Sequence, residues 1–89
     1  MIAVHLSFGD DPRRLEARPD HRAFLAKLRE SGELVAAGPF AGDSGSLLLF
    51  DVDNDRMQEI MQEDAYYRTP GITVAWVHEW NPLFGFETS

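Results

Sequence analysis

Two residues far apart in this sequence have the types and spacing for proton transfer, His21 and Asp64. In Arg18-Pro19-Asp20-His21-Arg22-Ala23-Phe24-Leu25-Ala26-Lys27-Leu28, the residues His21, Phe24, Leu25 and Leu28 recur at i, i+3, i+4 and i+7, one face of a helix. The imidazole should therefore point inward near a helix start, with Pro19 suited to the first helical position. Met57, Ile60, Met61 and Asp64 repeat the spacing and put a carboxylate at the end of a second apolar row. A helix start disfavours imidazolium, and a carboxylate at a helix end needs compensation. One hydrogen bond between the two answers both needs and leaves the other ring nitrogen to accept a proton. The plainer alternative is a satisfied buried contact, or an Asp64 that is simply solvated.

The elements that must position this pair read as β-α-β-β-α-β. Residues 2 to 8 alternate, with Ile2, Val4, Leu6 and Phe8 on one face, and Gly9-Asp10-Asp11-Pro12 ends the strand. Pro12 to Ala17 is a loop or an early helical turn, and the helix proper runs to about Ser31, with Gly32 as a left-handed cap. Glu33 to Phe40 forms a second strand, Ala41 to Ser44 a connection, and Gly45 to Val52 a third strand. Asp53 or Asn54 caps the second helix. Tyr66 to Gly71 is a loop, and Ile72 to Trp80 is the fourth strand. This order predicts a ferredoxin-like α+β fold, a four-stranded antiparallel sheet with two helices on one face.

In that topology the start of the first helix and the end of the second lie at one end of the sheet, so His21 and Asp64 meet there. Phe8, the strand end Gly38-Pro39-Phe40, Ser46 and Tyr66 belong to the same end and should wall a pocket. Arg18, with Arg14 and Arg22 nearby, suits an anionic substrate at its mouth, and Ser46 suits a donor to a substrate oxygen. Leu47-Leu48-Leu49-Phe50 is apolar on both sides although the helices cover only one. Val74-Ala75-Trp76-Val77 and Leu83-Phe84-Gly85-Phe86 add to that surplus, and a homodimer through the open sheet face is expected.

The 89 residues make one domain, 1–89, and a net charge of −7 argues against nucleic acid as a partner. No segment approaches membrane-spanning length, no leader pattern opens the chain, and there is no cysteine, so a cytoplasmic protein without membrane contact is expected. His5 points toward the dimer side and His78 lies near the end of the fourth strand. The three histidines have no metal-ligand spacing, and no phosphate-loop or dinucleotide fingerprint is present, so neither metal nor cofactor is expected.

Arg18-Pro19-Asp20-His21-Arg22-Ala23-Phe24-Leu25, Gly32-Glu33-Leu34-Val35-Ala36-Ala37-Gly38-Pro39, Gly45-Ser46-Leu47, and Asp64-Ala65-Tyr66-Tyr67 followed by Gly71-Ile72 resemble, in this order, the YciI-like (YCII-related) family. The resemblance spans nearly the whole chain. It implies a dimeric α/β barrel and a histidine and aspartate as active-site pair, carried over onto His21 and Asp64. The usual Asp-Pro-Tyr of that family is Asp64-Ala65-Tyr66 here, which keeps carboxylate and ring but loosens the turn. It further implies metal-free proton transfer on small aromatic or lactone substrates, as in a dehydrochlorinase of a chlorinated hydroxyquinol, muconolactone isomerases and cofactor-free monooxygenases.

The first expectation is thus a cofactor-independent enzyme for elimination or isomerisation, with His21 as general acid/base and Asp64 orienting it. Its rivals are a dimeric module that binds a small ligand without turnover, and a dimer that has kept the scaffold and lost the site.

Overall fold

The structure is a computed structural model and describes residues 1–85. Strands β1 (Ile2–Phe8), β2 (Leu34–Pro39), β3 (Gly45–Phe50) and β4 (Ile72–Glu79) form one sheet in the order β2-β3-β1-β4, every neighbouring pair antiparallel. Helix α1 (Arg13–Glu30) joins β1 to β2 and helix α2 (Asn54–Glu63) lies between β3 and β4, as the ferredoxin-like order requires. Ile2, Val4 and Leu6 of β1 meet Leu48 and Phe50 of β3 with Leu28, Met57 and Ile60 of the helices in one core. The strand alternation of β1 thus does what period two dictates. Trp80 and Met1, at the far edge, are tied by a backbone bond of 2.8 Å.

Both helix ends follow local chemistry. Asp53 caps α2 by accepting from the Arg56 N–H at 2.8 Å, and Gly32 takes φ 83° after α1 while the Glu33 N–H reaches back to the Leu28 carbonyl. The start of α1 differs from the sequence expectation. The helix begins at Arg13 behind Pro12, so Pro19 lies inside it. Pro19 removes one N–H and leaves the Leu15 carbonyl without its usual donor, but Pro19 is exposed and Leu15 is half exposed, so water can serve that carbonyl. His21 consequently stands roughly two turns into the helix, beyond the first turn where the dipole acts.

Two register shifts set which way the sheet's side chains point. Between Leu34 and Ala36 the pairing of β2 with β3 slips, and between His5 and Leu6 the pairing of β1 passes from Trp76 to Val74, leaving Ala75 extra. Each slip reverses the alternation of its strand. Past the first, Ala37 and Pro39 face the helices; past the second, Trp76 and His78 face away from them.

Gly45 opens β3 where β1 passes closest. A Cβ there would lie 2.3 Å from the Leu6 carbonyl oxygen, so no side chain is possible without moving a strand. The neighbouring Ser46 is thereby held beside the helices. Of the apolar tail, Leu83 and Phe84 are almost fully exposed, and Phe86 lies outside the described residues.

Candidate functional site

His21 Nδ1 and Asp64 Oδ2 are 2.5 Å apart, and both residues are buried, 5% and 8% exposed. Asp64 ends α2 in extended backbone, where its Oδ1 accepts the Tyr66 N–H at 3.0 Å. That bond opens a short 3-10 turn over Ala65–Arg68, a segment expected as plain loop. The carboxylate is therefore fixed by the turn it caps. An aspartate held this way accepts from Nδ1–H, which leaves the lone pair on Nε2.

Rings fix the imidazole plane. Tyr66 stacks on His21 with centroids 3.9 Å apart and planes at 12°, and Tyr67 meets it edge-on at 5.9 Å. Tyr66 in turn meets Phe8 edge-on at 6.5 Å. The Tyr67 hydroxyl is buried with no hydrogen-bond partner among the described residues. Burial, and then the charge of Asp64, push its pKa well above the usual phenol value.

Between the sheet and α1 lies a recess of about 200 Å³. Phe8, Ser46, Ala37, Gly38 and Pro39 form the sheet side; His21, Arg18, Arg22 and Leu25 come from α1, and Tyr66 closes one end. Asp64 does not reach this space. It stands behind His21 and borders a neighbouring hollow with Asp20 and Glu63. Nε2 is the ring nitrogen left for the recess.

Of the expected wall residues, Phe8, Gly38, Pro39, Ser46, Tyr66 and Arg18 come together here. Phe40 does not. Its ring stands 5.3 Å from His5, because the slip in β2 turns Pro39 toward the helices and sends the next residue to the other face. Ser46 is present but spends its proton on the Gly38 carbonyl at 3.0 Å, so it offers a ligand lone pairs rather than a donor.

Ala37 went unseen because plain alternation from Leu34 points it away from the helices. Asp43 also went unseen. It receives Arg14 at 3.0 Å and Arg18 at 3.1 Å, while both guanidinium groups lie over the Phe8 ring, at 5.0 and 5.4 Å. The Arg14 hydrogen bond holds the Asp43 carboxyl below its usual range, against a smaller opposing effect of burial, and Arg18 adds to the lowering. Burial works against the charge of Arg18, but the Tyr66 hydroxyl and Asp43 outweigh it and raise its pKa. No signal in the sequence marks Asp43, which sits in a turn at φ 55°.

Fold and recess define a small ferredoxin-like α+β domain with a buried His-Asp pair beside a one-ring cavity. The chain belongs to the YCII-related family, whose domain model matches residues 2–81. Among solved structures it is similar to 5-chloro-2-hydroxyhydroquinone dehydrochlorinase from Burkholderia phenoliruptrix AC1100, in complex with 2,5-dihydroxybenzoquinone. That likeness has a TM-score of 0.59 at 17% identity, over 91% of this chain and 94% of the other. No curated protein sequence matches. Among the described residues no helix is long and apolar enough to cross a membrane.

Proposed function

We propose that this protein is an enzyme that moves a proton on a small ring substrate, aromatic or lactone, without a cofactor, in an elimination or isomerisation. The observation that carries the reading is the contact between His21 Nδ1 and Asp64 Oδ2, with His21 on the wall of a recess the size of one ring. His21 Nε2 takes the substrate proton as general base. The electron pair released either expels a leaving group, chloride in a dehydrochlorination, or relocates a double bond, after which the imidazolium returns the proton. Asp64 is a positioning residue, holding the tautomer and opposing the charge on the imidazolium. A base placed in this way supplies roughly 10²–10⁴ in rate. The activity of the structurally similar dehydrochlorinase supports a hydroxylated ring as the substrate class.

The test is incubation with chlorinated hydroxyhydroquinone, related hydroxylated aromatics and small lactones, with products separated by chromatography. Wild type should turn over at least one of them, and His21→Gln should lose about 10²–10⁴ of the rate. Ligand-induced NMR shifts without product from any compound would replace the enzyme by a binding module.

The same proposal includes a second copy of the chain on the open sheet face. Trp76 and Trp80, about two-fifths exposed, flank a hollow with Ala3, Leu47 and Leu49 on the face turned away from both helices. His5 and His78 each lie beside Trp76, with centroids 5.4 and 5.0 Å away. A two-layer fold leaves such an apolar face wet, and a second copy related by a two-fold axis would cover it.

A further inference from the structure

We infer that the recess beside His21 selects an anionic ligand, and that Arg22 is the residue that reads the negative charge. The inference rests on the proton-transfer reading only for the place of the ligand, not for any reaction.

The chain carries 15 acidic against 8 basic residues, yet among the described residues the walls of this recess hold no carboxylate. They hold Arg18, Arg22 and His21 instead. Charge has therefore been sorted among the described residues, with the acidic surplus kept out of the cavity that His21 lines. A cavity lined by one sign of charge between apolar walls concentrates ligands of the other.

The two arginines differ in what they have left to give. Arg18 is mostly buried, paired with Asp43 at 3.1 Å and set against the Tyr66 hydroxyl. Its charge is largely answered within the protein. Arg22 is exposed, borders the recess, and forms no ion pair or side-chain hydrogen bond among the described residues. Both Arg22 and His21 line the recess, and Arg22 is exposed where His21 is buried, which puts Arg22 on the solvent side of the imidazole. Its planar fork suits two oxygens of a carboxylate, or the oxygen pair of an ionised hydroxyquinone.

The shared chemistry is one six-membered ring bearing an anionic oxygen, since about 200 Å³ falls below the ~300 Å³ at which sites for drug-sized ligands begin. The oxygen lies toward Arg22 and the ring against Phe8 and Tyr66 on the recess wall. Its source, carboxylate or ionised enol, is separated by the probes.

Binding is measured by NMR titration of the whole chain with 4-hydroxybenzoate, its neutral analogue 4-hydroxybenzamide, and 2,5-dihydroxybenzoquinone, in low and moderate salt. At least one anion should bind about ten- to a hundredfold more tightly than the amide, the range of one charge-assisted bond. Preference for the benzoate marks a carboxylate ligand, and preference for the quinone an ionised enol. Salt should weaken the anions and leave the amide unchanged. Arg22→Gln should bring anion and amide to equal affinity, and Arg22→Lys should restore part of the difference.

Equal binding of all three compounds to wild type, a preference that survives Arg22→Gln, or no binding by any probe up to about 10 mM would each overturn the inference. Turnover is not read, so anion selectivity can stand where the proton-transfer proposal fails, and the reverse.

Discussion

Asp64 uses its two carboxylate oxygens for different ends, one on the Tyr66 backbone and one on His21. Substitutions separate them. Asp64→Ala removes the cap and strands a buried imidazole nitrogen, and should cost about 2–4 kcal/mol in urea unfolding. Asp64→Asn keeps a carbonyl oxygen for the Tyr66 N–H, so most of that stability should remain. Its amide N–H, however, can donate to Nδ1 and shift the ring proton to Nε2, the wrong tautomer for a base. Nitrogen NMR of His21 should report the exchange, with a loss of about 10²–10⁴ in any turnover. A purely structural contact would show the Ala cost and the exchange of the ring proton without any loss of turnover. The pair itself was legible in the sequence, because helical spacing on two separate rows pointed both residues inward. The dipole at the helix start was not a sound part of that reasoning, since α1 begins at Arg13 and His21 lies inside the helix.

At the scale of the elements, the 3-10 turn after α2 is the least regular part of the site's support. Asp64 has φ −99° and ψ 107°, a conformation that a following proline accepts, and Ala65 is the first residue of the turn. Ala65→Pro should therefore raise stability by about 0.4–1 kcal/mol, read from the urea midpoint, by restricting the unfolded chain. A loss instead would mean that the Ala65 N–H is in use. Element order was readable from periodicity and from punctuation by Gly32, Gly38-Pro39 and Gly71. The facing of side chains near strand ends was less so. Each register shift inserts a residue with no compositional mark, and one residue is enough to turn a strand over. Phe40 was placed in the pocket because its strand end lies at the right end of the sheet, which says nothing of its face, and the slip before Ala36 put it on the far one. For α1 the sequence left Pro12 to Ala17 open between a loop and an early helical turn, and the helical turn is what forms. Pro12 and Pro19 both fit a first helical turn, and only solvent access at Leu15 makes the inner one tolerable.

Across the whole molecule, acid should weaken the ion pairs that Asp43 makes with Arg14 and Arg18 beside the recess. Asp43 has a folded pKa below its unfolded one, through Arg14 and then Arg18, so its contribution is present above the ordinary carboxylate range and is lost as pH falls through the lowered value. Asp11, brought down to about 2 chiefly by its hydrogen bonds from Arg13, behaves alike between about 4 and about 2. The stability gap between wild type and Asp43→Asn should therefore be constant near neutrality and close below about pH 4, in urea melts at stepped pH. Assembly is tested separately. Sedimentation should give twice the monomer mass, and Trp76→Glu should give monomers that keep the His21–Asp64 contact. Both tryptophans of the chain stand on the open sheet face, and none lies in the core. Their fluorescence is thus a built-in gauge of what covers that face: on dilution the emission should shift to the red as the indoles become hydrated, while far-ultraviolet circular dichroism stays constant.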